Sequence, residues 1–379
     1  MSFTQLLQRA FSTSAAAEAP AVMSLSTTLY KERNLKRLVE KFKKFSEVDR
    51  FRTKTGVYEE TIRRLASAKR FMWIEEILED QKKYSDYSEE GFAVRLISLY
   101  GKSGMFENAQ KVFDEMPERN VQRTVLSFNA LLAACVNSKK FDLVGGVFLE
   151  MPKKLAVEPD LVSYNTVIKA FCEAGSFDSA LSVLDEMEKK GLKPDVISFN
   201  TVLNGYYGKG SRFADGDKVW NLMEEKGVVP DIRSYNAKMY GLVSEKRVNE
   251  AVGLIGEMRG KGIEPDIFTF NLVIEGFIKE ESLEGAKEWH SEMRKSECAP
   301  NKLTLERLIP FLRKKGDLEL AFELSKEVLE RKFVVDGALL QRVVDDLVKA
   351  SKVEEAKTLL ELGKNNNYRR YRLKLPSNE

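Results

Sequence analysis

One histidine, His290, is all that this 379-residue chain offers for imidazole chemistry. A Ser/His/Asp triad would have to recruit it, yet its register is filled by Leu184 in the clearest repeat described below, the place of a packing side chain. The combination of H-x-E with C-x-x-C that a zinc deaminase needs does not occur. Only three cysteines are present. Cys135, Cys172 and Cys298 are odd in number, far apart and on apolar-face positions, which argues against disulfides and zinc and for a reducing compartment. No apolar run approaches the ~20 residues of a membrane span, so no membrane partner is expected. The segment GKGSRF lacks the Lys-Ser/Thr ending of a phosphate loop and falls between two helical patterns, not after a strand. An enzymatic reading therefore fails for lack of parts, and neither cofactor nor metal is expected.

What the chain does have is repetition. Between Val125 and Asn301 it restates one pattern five times with a period of 35 or 36 residues, most clearly as LVSYNTVIKAFCEAGSFDSALSVLDEMEKKGLKPD from Leu161 to Asp195. An asparagine follows an aromatic near each start, at Asn129, Asn165, Asn200, Asn236 and Asn271, and a proline closes each copy at Pro159, Pro194, Pro230, Pro265 and Pro300. Tyr164, Val167, Ile168 and Phe171 fall on one face of a helix; Phe177, Ala180, Leu181, Leu184 and Met187 fall on one face of a second. Gly175 and Gly191 stand where the helices should stop, and Pro194 blocks continuation. Met116, Met151, Met187, Met258 and Met293 recur with the period and read as core. A small residue recurs at Ala109, Ala180, Gly216, Ala251, Ala286, Ala321 and Ala356, with Val144 the exception.

The same ruler marks nine repeats, at 55–89, 90–124, 125–160, 161–195, 196–231, 232–266, 267–301, 302–336 and 337–368. The extra residues of the two longer copies fall in turns. Such hairpins cannot bury their apolar faces alone, so the expected fold class is an all-α solenoid of helix-turn-helix units, with function spread along a surface.

The ends differ from the middle. Residues 1–17 carry Arg9 and no acid, and Phe3, Leu6, Leu7, Ala10 and Phe11 share one helical face; residues 1–30 read as a mitochondrial transit peptide and disordered leader, cleaved after Phe11, or else as a disordered N-terminus that is merely amphipathic. Residues 31–54 read as a basic helical cap and 369–379 as a basic tail. Net charge is +3, but Lys31 to Lys44 and Lys364 to Lys374 each contribute +5, leaving −7 for the remainder. Either end reads as an RNA anchor, the tail through Tyr368 and Tyr371 interleaved with Arg369, Arg370 and Arg372, or simply as a solvated segment.

A hairpin of this length with V-x-Y-N-T-x-I near its start and G-x-x-P-D at its close resembles the pentatricopeptide repeat, and the stretches YGKSGMFENAQKVFDEMPERN and FNALLAACVNSKKFDLVGGVFLEMP are similar to plant members associated with the small subunit of the mitochondrial ribosome. The resemblance implies a right-handed superhelical solenoid along which single-stranded RNA lies, one base per repeat. It implies that bases are read by the fifth and last residues of a repeat, here Asn129 with Asp160, Asn165 with Asp195, Asn200 with Asp231, Asn236 with Asp266, and Asn271 with Asn301. By the family's correspondence this is a track of pyrimidines, mostly uracil. Apolar second residues, Leu126, Val162, Ile197 and Phe268, would clamp the bases, and Arg233 breaks that series. The same Asp and Asn residues are also good helix N-caps, so capping and reading compete for them. Flanking repeats carry Glu59, Val94, Glu306 and Gln341 at the fifth position, which suit protein docking better than base reading. The implied setting is the mitochondrial matrix, with rRNA or mRNA and small-subunit ribosomal proteins as partners; a free transcript-specific factor and a pure protein scaffold stand as alternatives.

Overall fold

The computed structural model describes residues 25–208, 212–366 and 370–376. The expected leader up to residue 24 with its cleavage site, residues 209–211 of the GKGSRF turn, and Tyr368 and Arg369 lie outside the described residues. Every regular element among the described residues is helical, and no helix there is long and apolar enough to cross a membrane. First helices of successive hairpins begin at Thr55, Glu90, Val125, Leu161, Val196, Ile232, Ile267, Lys302 and Gly337, each followed by a second helix.

The Leu161 repeat shows how local chemistry sets the bounds. Asp160 caps the helix Leu161–Ala174: its carboxylate accepts the Ser163 backbone N–H, and the Ser163 hydroxyl accepts the Asp160 N–H in return, a reciprocal capping box. Gly175 ends the helix at φ +80°, and Phe177–Lys189 follows. The left-handed residue between helices recurs at Lys69, Gly104, Lys139, Gly175, Lys246, Glu281, Gly316 and Ser351. Five of these eight have side chains, so hairpin geometry imposes the conformation even where glycine does not invite it.

Contacts divide the chain into two compact halves, Met1–Pro194 and Asp195–Glu379. In the first, Phe42, Phe51 and Tyr58 meet edge to face, and the buried Tyr58 hydroxyl donates to Gln81. Helices Glu90–Lys102 and Val125–Asn137 approach so closely that a Cβ on Gly101 would sit 2.6 Å from the Ala134 Cα. In the second half, Phe270, Ile309, Leu324, Val344 and Leu359 run through one continuous core. The recurrent small residues Ala109, Ala180, Ala251, Ala286, Ala321 and Ala356 are wholly buried. His290 is buried as well, and desolvation together with the Arg294 guanidinium pushes its imidazole down to about 4, so it packs uncharged.

Two expectations about the ends need correction. Residues 25–31 are helical and Leu29 is buried, its carbonyl accepting from Arg64, so the disordered leader does not extend to residue 30. Tyr371 is not a free stacking ring: it is 4% exposed, donates its hydroxyl to the Phe333 carbonyl and accepts the Val335 N–H. Leu373 is buried beside it, and Lys374 exchanges two hydrogen bonds with the Gln341 amide. A ring that can close the open apolar end of a hairpin stack gains more from burial than from solvent.

Candidate nucleic-acid interface

The fifth-position asparagines sit one turn inside the first helices, and Asn129, Asn200, Asn236 and Asn271 each lie beside the cap of the next hairpin. Asn129 donates its amide N–H to Asp160 Oδ1 at 3.0 Å, and its Oδ1 accepts from the Ser163 hydroxyl at 2.5 Å. Asn200 repeats this with Asp231 at 2.9 Å and Ser234 at 2.5 Å. Asn236 does so with Asp266 at 3.4 Å and Thr269 at 2.8 Å, and Asn271 with Asn301 at 3.4 Å and Thr304 at 2.7 Å. The cap residues meanwhile hold their own helices, with Asp231, Asp266 and Asn301 each closing a capping box like that of Asp160. Capping and clasping are therefore one arrangement: the last residue of each of these repeats caps a helix and holds the preceding asparagine at once.

The fifth pair is divided between the halves. Asn165 belongs to the first, where its Oδ1 is buried without a hydrogen-bond partner. Asp195 belongs to the second, where it accepts the Ser198 N–H at 2.8 Å.

Two of the clasps shift the carboxyl that they hold. Burial alone would raise the Asp160 carboxyl, but the Ser163 N–H, the Asn129 amide and the Ser163 hydroxyl outweigh it and hold the group below the usual carboxylate range. Asp231 is likewise raised by burial and lowered further by Asn200 and Ser234. Both stay ionised. An asparagine amide has two N–H groups and two oxygen lone pairs; the clasp uses one of each, leaving one donor and one acceptor. Asn200, Asn236 and Asn271 are less than a tenth exposed, and Asn236 borders an open cavity.

These repeats also carry apolar side chains that nothing covers. Leu126, Val162, Ile197 and Phe268 are each more than half exposed, and Leu303 continues the register. Arg233, which interrupts the apolar series, lines a 570 Å³ cavity with Phe268, Asn236, Asp266 and Tyr240. Amide edge, carboxylate, guanidinium and two aromatic rings thus border a space of small-molecule dimensions. A planar base can stack there on ring or guanidinium while meeting the amide at its edge.

Flanking repeats keep the helices and change the polar contacts. Glu59 pairs with Lys102, and Glu306 with Lys302. Glu90 accepts from the Thr124 N–H, the Thr124 hydroxyl and the Ser127 N–H, so a carboxylate on one hairpin caps the next. Several cations of the N-terminal cap are paired: Lys41 with Glu32, Lys43 with Glu76, and Arg52 with Asp49 and Asp86. The charge available there to an RNA backbone is smaller than the sequence count.

Sequence reading overlooked the hydroxyls. Ser127, Ser163, Ser198, Ser234, Thr269 and Thr304 occupy the third position of six consecutive repeats and are all buried, a signal as periodic as the asparagines. Tyr240 was also missed, because no other repeat has an aromatic there.

Comparison with known proteins bears on the same residues. The model of the PPR repeat family matches residues 159–208, 194–244, 230–279 and 265–314, that of the pentatricopeptide repeat domain matches 111–174, and a single PPR repeat matches 95–121. Together they run unbroken from 95 to 314. Small ribosomal subunit protein mS79 (rPPR3b) of Arabidopsis thaliana is 60% identical over 183 residues, 48% of this chain and 46% of that protein. Small ribosomal subunit protein mS78 (rPPR3a) of the same plant is 61% identical over 177 residues, 47% of this chain and 44% of that one. The chain thus spans about half the length of the curated relatives it matches. The crystal structure of pentatricopeptide repeat protein PPR10 from maize aligns with a TM-score of 0.47 at 18% identity, over 93% of this chain and 60% of that one.

Proposed function

The chain belongs to the pentatricopeptide repeat family, and from that premise we propose that it is a non-enzymatic protein binding single-stranded, pyrimidine-rich RNA within the small subunit of the mitochondrial ribosome, in the matrix. The observation that carries RNA binding is the clasp repeated at Asn129, Asn200, Asn236 and Asn271, which leaves one donor and one acceptor of each amide unused, with the Asn236 amide bordering a cavity lined by Arg233 and Phe268. Asn165 and Asp195 complete the proposed track, with Val162, Ile197 and Phe268 as stacking partners. Stacking of about 1–3 kcal/mol per base can hold a strand without a strongly basic groove. The setting is supported by two small ribosomal subunit proteins that are about 60% identical over just under half of this chain. Divergent flanking repeats suit contacts with neighbouring ribosomal proteins.

The test has two arms. Epitope-tagged protein from a mitochondrial extract should co-sediment with the small subunit in high salt; migration as a free particle instead would leave RNA binding and sink the ribosomal assignment. Purified protein should bind oligouridine, and replacing Asn200, Asn236 and Asn271 together by alanine should weaken it about a hundredfold, roughly one lost hydrogen bond per repeat.

A further inference from the structure

We propose that the C-terminal segment from Arg370 to Lys374 is a rail for RNA phosphates, holding the strand where it runs past the base-reading repeats. The inference rests on the reading that the asparagine clasps face single-stranded RNA, and it adds a second contact of different chemistry.

Burial alternates along this segment. Tyr371 and Leu373 are buried, while Arg370, Arg372 and Lys374 are exposed. That is the period of an extended chain, which puts alternate side chains on opposite sides and spaces those of one side about 6.5 Å apart. The Tyr371 N–H donates to the Gly363 carbonyl at 3.1 Å, and the Tyr371 hydroxyl joins Phe333 and Val335. Leu373 packs on Gly363 so closely that a Cβ there would sit 3.2 Å from its Cδ1. The Lys374 N–H donates to Gln341 Oε1 at 3.0 Å, and Gln341 Nε2 donates to the Lys374 carbonyl at 2.8 Å. These attachments use backbone, apolar groups, a hydroxyl and an amide. The cationic head groups are left over, and the side chains of Arg370, Arg372 and Lys374 make no ion pair among the described residues.

Other cations of this half are already matched, with Arg313 on Asp346 and both Lys314 and Lys315 on Glu281. Along the rail, like charges pinned in a row repel one another, and a chain of anions laid beside them relieves that repulsion. Successive phosphates of an extended nucleic acid strand are such a chain. The place is suitable as well. Gln341 is the fifth residue of the last repeat, the register of Asn200, Asn236 and Asn271 in the same half. Both of its N–H groups are taken, one by the Lys374 carbonyl and one by Asp345. A nucleotide arriving there meets cations and no amide donor, so its phosphate is held and its base goes unread.

Binding is measured by fluorescence anisotropy with the full chain, an oligouridine, and the same oligouridine lengthened at one end or the other by abasic nucleotides, which add phosphates and no base. Lengthening at one end and not the other should strengthen binding. Replacing Arg370, Arg372 and Lys374 together by glutamine spares Tyr371, Leu373 and the backbone bonds. It should abolish that gain and make the slope of log affinity against log salt shallower by about 2, at about 0.7 per single-strand phosphate. Should the triple variant fail to fold by circular dichroism, Arg372→Gln alone makes the same test with a change of about 0.7. An unchanged slope overturns the proposal, because the cations then touch no phosphate. An equal change with the unlengthened oligouridine also overturns it, because they then act through net charge alone. So does an unchanged slope combined with lost co-sedimentation with the small subunit, which would assign the rail to an acidic protein surface. If the unaltered protein binds no oligouridine at all, the RNA reading falls and this inference with it.

Discussion

The repeats from Val125 to Asn301 and those on either side share one helical hairpin but join their neighbours differently. In four of the five middle repeats, an uncharged amide, a cap and a hydroxyl recur with little variation. At the flanks the same register holds Glu59 on Lys102, Glu306 on Lys302, and Gln341 on the backbone of Lys374. The hairpin does not need asparagine in order to stack, because its apolar residues and left-handed turns persist without it. What the asparagines add at Asn129, Asn200, Asn236 and Asn271 is an amide bonded to the cap of the next hairpin, with one donor and one acceptor left unused.

If the scaffold is common to both regions, damage to packing where they meet should outweigh any change to a clasp. Gly101→Ala places a methyl 2.6 Å from the Ala134 Cα, between a flanking helix and the first central one, and backbone cannot yield as a side-chain tip does. A loss of about 3 kcal/mol is expected, seen as a marked fall in melting temperature. Gly253→Ala meets nothing within 4 Å on an exposed helical position and should stabilise by about 0.5–1 kcal/mol. Equal effects from the two substitutions would mean that close helix approach does not hold the stack.

A smaller effect separates central from flanking caps. Asp231 holds two backbone N–H groups, Ser234 and the Asn200 amide, whereas Asp336 accepts the Ala338 N–H at the start of Gly337–Lys349. Asp231→Ala should cost about 2 kcal/mol and Asp336→Ala about 1 kcal/mol in chemical denaturation. The folded carboxyls of Asp160 and Asp231 are held low, so the stability they contribute is complete above the unfolded value of about 4 and is lost as pH falls through their lower folded values. Asp231→Asn should flatten that acid limb. An unchanged acid limb would mean the clasp carries no linkage.

Much of this could be read from the sequence because repetition averages out local noise. Tyr164, Val167 and Ile168 are buried as their spacing suggests, although Phe171 is only partly so. In the second helix of that repeat Val183 is buried and Leu181 is partly exposed, because a helix packed between neighbours has a broader buried surface than a single stripe. The buried serines and threonines escaped because periodicity analysis follows apolar residues, and a hydroxyl between two hairpins leaves no apolar trace. Tyr371 was misread for a related reason. Composition records a tyrosine among arginines but not the two backbone groups, at Phe333 and Val335, that its hydroxyl meets.

The smallest expected effect tests whether the flanks take part in reading at all. Glu306 stands at the fifth position of its repeat, 3.6 Å from Lys302 across one helical turn, a surface pair worth little to stability. Glu306→Gln removes one negative charge and supplies the amide that the central repeats use. If the RNA track ends with the Asn271 clasp, oligouridine affinity should rise by no more than about twofold, through relief of long-range repulsion alone, and that gain should vanish at high salt. A larger gain that survives high salt and appears only with an oligonucleotide longer by a nucleotide would show that the flanking repeat is one substitution away from reading, and that the division between the regions lies in side chains, not in the hairpin.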